Sequence, residues 1–84
     1  MTTQLSALHR AKRGVAALVT CLVQTLNETD PSFQERFLAN AEKAYYKFRD
    51  NTDGAQELEL LNWTREYLTG FKTIKGQGKP FLAD

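Results

Sequence analysis

Apolar residues recur along the first third of the chain at Leu8, Ala11, Val15, Leu18, Val19, Leu22 and Leu26, with Leu5, Ala16 and Val23 along the edge of the same stripe. At about 100° per residue these positions share one face of a helix. Val15, Val19, Thr20 and Val23 favour strands, but a run of this length with helical spacing exceeds the usual strand of about five or six residues. The pattern predicts a helix over about 6–28 with this stripe on the core. His9, Arg10 and Arg13 fall on its opposite face.

The clearest boundary is Asp30-Pro31. Asp30 can cap the next helix, and proline suits a first helical position, where no N–H donor is needed. A second helix is predicted over about 31–50, with Phe33, Phe37, Leu38, Ala41, Ala44, Tyr45 and Phe48 on one arc of about 140° and Tyr46 pointing away. The polar turn Asp50-Asn51-Thr52-Asp53-Gly54 follows, and Asp53 with Gln56 has the form of a capping box. A third helix is predicted over about 54–69, stopped by Gly70 in a left-handed conformation.

That third segment is apolar over a wider arc than one neighbour can cover. Leu58, Leu60, Leu61, Trp63, Tyr67, Leu68 and Phe71 spread over about 220°. Leu58, Leu61 and Leu68 suit the intramolecular core. Leu60, Trp63, Tyr67 and Phe71 then make a second, aromatic ridge, of residue types enriched at binding hot spots. One expectation is a protein interface, most simply a homodimer. The other is that the first helix and the tail wrap this ridge from both sides.

The fold expected is all-α: a small three-helix antiparallel bundle over residues 1–71, followed by a flexible basic C-terminal tail over 72–84. With 84 residues there is one domain, burying only about 60 to 65% of its unfolded surface. A hydrophobic content of 42% with 25% charged residues is that of an ordinary soluble domain. Beyond Phe71 the expectation is irregular chain. Gly76-Gln77-Gly78 reads as a tether and Pro80-Phe81-Leu82 as its apolar tip, adding little stability.

Net charge is +1, unevenly spread. Residues 1–27 carry three bases and no acid, residues 28–70 nine acids against five bases, and the tail three lysines against one acid. Internal complementarity between one helix and the next is the favoured reading. The alternative is a nucleic-acid-binding regulator with Arg10, Lys12, Arg13, Lys72, Lys75 and Lys79 as candidate anion contacts. Against it, the third helix offers Glu59, Asn62 and Glu66 where a recognition helix would carry Arg and Lys.

Little catalytic chemistry is written in the chain. Lys75-Gly76-Gln77-Gly78-Lys79-Pro80 lacks the first glycine, the hydroxyl residue and the following helix of a phosphate loop. His9 is the sole histidine and has no metal-ligand spacing to a carboxylate or thiol, so no metal or cofactor is expected. Glu57, Glu59 and Glu66 read as solvated carboxylates, and no enzyme activity is expected. Cys21, the only cysteine, excludes an intrachain disulfide and fits a reducing, cytoplasmic compartment. Leu18-Val19-Thr20-Cys21 resembles a bacterial lipidation box, but threonine before the cysteine is atypical and the apolar stretch is short. No membrane span is expected. No internal repeat or family signature emerges, and the function expected is a helical interaction module acting by binding.

Overall fold

The computed structural model describes the backbone of residues 2–50, 55–72 and 75–83, and the side chains of these from residue 7 onward. Its helices are α1 (Thr2–Thr29), α2 (Phe33–Arg49) and α3 (Ala55–Thr69). The helical class and the number of helices are as predicted. The expected capping box at Asp53 lies outside the described residues.

α2 starts two residues later than the proline suggests. The Asp30 carboxylate closes a turn on Ser32 instead, accepting its amide N–H at 3.1 Å and its hydroxyl at 2.7 Å. Arg36 reaches back to the same carboxylate from the first turn of α2. Asn27, near the end of α1, accepts the Gln34 N–H at 2.8 Å, satisfying a donor that the start of a helix leaves orphaned. This polar knot fixes the angle between α1 and α2. On α2, Phe33, Phe37, Leu38, Ala41, Ala44, Tyr45 and Phe48 are all half-buried and Tyr46 is exposed, so the predicted face is the inward one.

α1 is rotated from expectation: Ala16 and Val23, from the edge of the predicted stripe, face inward, Val19 is half-buried, and the middle of the stripe faces out. The residues it buries are Ala16, Thr20 and Val23, while Leu8, Val15, Leu18, Leu22 and Leu26 stand in solvent. Thr20 can occupy a core position because its hydroxyl donates to the Ala16 carbonyl at 2.7 Å within its own helix. On α3, Thr64 does the same to the Leu60 carbonyl at 3.0 Å, beside buried Leu68. No buried side-chain polar atom among the described residues lacks a partner. Small side chains and self-satisfied hydroxyls let two helices approach closely without desolvation cost.

The buried apolar core among the described residues is only Ala16, Val23 and Leu68, and fully burying each of the two larger side chains is worth about 1.5 to 3 kcal/mol. α1, at 28 residues, is far longer than α2 at 17 or α3 at 15. The radius of gyration is 13.6 Å, against about 12 Å expected for a chain of this length.

The segment after α3 differs from the irregular chain predicted. β1 (Phe71–Lys72) pairs antiparallel with β2 (Gly76–Gln77), in the register Phe71 with Gln77 and Lys72 with Gly76. The chain then returns to the end of α3. Gly78 N–H donates to the Gly70 carbonyl and Phe81 N–H to the Tyr67 carbonyl, both at 2.7 Å, and the Gln77 side-chain amide reaches the Thr69 carbonyl at 2.8 Å. The tail thus serves carbonyls that a helix C-terminus leaves unpaired.

Gly70 permits this closure. Its φ is +80°, and a Cβ there would lie 2.4 Å from the Gly78 carbonyl oxygen. Gly70→Ala is expected to lose about 1 to 2 kcal/mol from the left-handed conformation alone, and also to detach the tail. Gly76 has a similar φ of +78° but open space around it, so Gly76→Ala should show the conformational loss only. Urea denaturation of both variants, with the Gly78 and Phe81 amide shifts, separates the two effects. A tail of no structural consequence would give the two variants equal losses.

A second expectation concerns acid. The Ser32 hydroxyl, then the Ser32 amide, and beyond them the Arg36 guanidinium hold the Asp30 carboxyl below its ordinary value of 3.8. A depressed folded pKa contributes stability above the unfolded value, and that contribution is lost as pH falls through the folded one. The stability difference between the protein and Asp30→Asn should therefore be full near neutrality and shrink below about pH 4. Urea midpoints measured across that range check it.

Candidate protein interface

α1 leaves a long apolar stripe uncovered. Leu8, Ala11, Val15, Leu18, Leu22 and Leu26 are all exposed, Leu18 at 71% and Leu22 at 59%. From Leu8 to Leu22 they alternate by three and four residues, the spacing by which one helix seats against another. Gly14 and Cys21 lie exposed along one edge, and no charged residue interrupts the stripe. A contiguous apolar face of this length differs from the singly scattered apolar side chains of an ordinary surface.

The opposite face of α1 explains why the stripe is turned outward. Lys12 Nζ donates to Glu59 Oε1 of α3 at 2.6 Å and also to Gln56. Arg13 Nε donates to the Tyr67 hydroxyl at 3.1 Å. The His9 ring meets the edge of Trp63 with centroids 4.9 Å apart, and the Lys12 and Arg13 cations each lie 5.7 Å from the Trp63 ring centre. The basic side of α1 therefore faces the acidic and aromatic side of α3. Attraction of a cation to an indole face and to a neighbouring carboxylate favours this rotation over the Leu-inward one.

The residues predicted for an interface are placed as follows. Leu60, Trp63 and Tyr67 are half-buried; α1 covers Trp63 and part of Tyr67, and Phe81 stacks on Tyr67 with ring centres 4.5 Å apart. Phe71 is exposed on β1. Of the candidate anion contacts, Arg13 is engaged with α3, whereas Arg10, Lys72, Lys75 and Lys79 are exposed. The wide apolar arc of α3 is thus largely met within the chain, and the surplus surface appears on α1. The signal for it lay in the strict three-four alternation of Leu8 to Leu22, with no charged residue within the stripe.

A groove of about 460 Å³ lies between α2 and α3, lined by Tyr45, Tyr46, Arg49, Leu61 and Arg65 with the carboxylate of Glu42. Arg49 sits over the Tyr46 ring at 4.4 Å and Arg65 donates to Asn62 at 3.3 Å, so its cations are already occupied by neighbours. Among the described residues no three metal-ligating side chains converge, and no helix is long and apolar enough to cross a membrane.

The covered position of Trp63 has a measurable consequence. Trp63→Ala should destabilise the isolated chain by about 2 kcal/mol, less than the full loss for a buried aromatic, because the ring is half-covered. Urea denaturation at low protein concentration checks this. A loss below a few tenths of a kcal/mol would place the ring outside the fold's support. Comparison of the chain with protein-family models, with curated proteins and with solved structures found no match in any of the three.

Proposed function

We propose that this protein is a small helical interaction module that acts by binding another protein surface, and that α1 carries the binding face. The exposure of Leu18 and Leu22 in the middle of an uncharged stripe supports this reading. A lone leucine in solvent is ordinary, but six apolar positions in helical register are a surface. The short connection between α1 and α2 suits an antiparallel arrangement of the three helices, which leaves one long face of α1 open. The free, exposed Cys21 fits a reducing, cytoplasmic setting.

Nucleic acid is the weaker alternative. Lys12 and Arg13, half of the basic side of α1 together with His9 and Arg10, are turned toward α3. Of the other candidate cations, Arg10 is exposed on α1 and Lys72, Lys75 and Lys79 on the tail, fewer than a phosphate-tracking groove needs.

The double variant Leu18→Glu, Leu22→Glu tests the reading. Both side chains are outside the core, so helix content and cooperative unfolding at low concentration should be kept, with stability changed by less than about 0.5 kcal/mol. Hydrogen exchange of α1 amides in the unmodified chain should show protection that rises with concentration of the binding protein, and the double variant should lose that rise. Unfolding of α1 by these substitutions would show that the face serves the fold and not a partner.

A further inference from the structure

We propose that the occupant of this face is a second copy of the same chain, docked as an antiparallel pair of α1 helices about a two-fold axis near Leu18. The inference rests on the reading of α1 as the binding face and adds the identity and direction of the partner. Three observations carry it.

The first is charge. Arg10 and Glu28 are exposed, and among the described residues neither makes an ion pair. They are separated by eighteen positions in the sequence, which is about five helical turns, so they stand on the same flank of the apolar stripe. Arg10 lies about 12 Å from Leu18 along the axis and Glu28 about 15 Å on the other side. An antiparallel pair centred near Leu18 brings Arg10 of each copy to the level of Glu28 of the other, twice by symmetry. A parallel pair sets the two arginines at one level and the two glutamates at another, so neither charge reaches its opposite.

The second is size. The N-terminal half of the stripe carries Ala11, Gly14 and Val15 after Leu8, and the C-terminal half carries Leu22 and Leu26. Antiparallel docking sets Ala11 near Leu26 and Val15 near Leu22, so large side chains meet small ones and the seam closes without voids. Parallel docking would set alanine against alanine and leave a gap at that layer.

The third is area. Leu8, Val15, Leu18, Leu22 and Leu26 together leave on the order of 500 Å² open on each copy, so a pair covers about 1,000 Å² from these five side chains alone. That reaches the lower bound for a specific interface before Ala11, Gly14, Cys21 and Thr25 are counted. The intramolecular core is correspondingly thin, with three buried apolar side chains among the described residues.

Sedimentation velocity and equilibrium on the full chain, from about 1 µM to about 500 µM, measure the self-association. A reversible monomer to dimer transition is expected, and Leu18→Glu should stay monomeric throughout with an unchanged helical circular dichroism spectrum. Arg10→Glu should weaken the dimer about tenfold, as two rim ion pairs turned repulsive would. Adding Glu28→Arg to that variant should return the affinity to within about twofold, because the pairs are restored in reverse. A chain that is monomeric at every concentration overturns the second-copy proposal while leaving the α1 face open to a different protein, which the hydrogen-exchange test of the double variant addresses separately. A dimer indifferent to Leu18→Glu overturns the α1 interface. A dimer that the second charge reversal does not rescue overturns the antiparallel direction.

Discussion

The contact between α1 and α3 governs the rest of this molecule, and it is made by residues that a hydrophobicity count would pass over. Ala16 and Thr20 of α1 and Thr64 of α3 are small and buried, and each threonine hydroxyl is satisfied by its own helix. Around this seam Lys12 meets Glu59, Arg13 meets Tyr67, and His9 meets Trp63. Reversing α1 to bury its leucines would strand two cations and expose an indole. The segregation of charge along the chain is therefore structural: a basic helix is held by an acidic, aromatic one.

How much of this was legible in the sequence differs from element to element. Helix boundaries were close because they rest on local chemistry: Asp30 with Pro31 at one junction and Gly70 at another act over a few residues. The inward face of α2 was legible because its aromatic residues all share one arc and have no rival face. The facing of α1 was not, since it offers two faces and the choice between them depends on what α3 presents. Leucine looks like core and threonine like surface until the hydroxyl's partner is known. The aromatic ridge at Leu60, Trp63 and Tyr67 reads from the sequence as an interface or as a surface wrapped from both sides; His9 of α1 meets Trp63, and Phe81 of the tail stacks on Tyr67.

The tail shows a different limit. Two-residue strands have no periodicity to read, and no side-chain alternation announces the pairing of Phe71 with Gln77. The closing contact joins Gly70 to Gly78 through bare backbone, so nothing in either residue's chemistry advertises it beyond the absence of a side chain. Phe81 then lies against Tyr67, and the same tyrosine hydroxyl accepts from Arg13. One aromatic residue thereby joins α1, α3 and the C-terminal segment.

The two faces of α1 divide its positions into sets that obey different selective rules. His9, Lys12, Ala16, Thr20 and Val23 answer to the interior, where a change of volume or charge is felt by the whole domain. Leu8, Val15, Leu18, Leu22 and Leu26 answer only to what lies outside. A lineage carrying this chain can rewrite the outer set one residue at a time without passing through an unfolded ancestor. The same rod that anchors the fold is then also the part whose outer surface is most free to change.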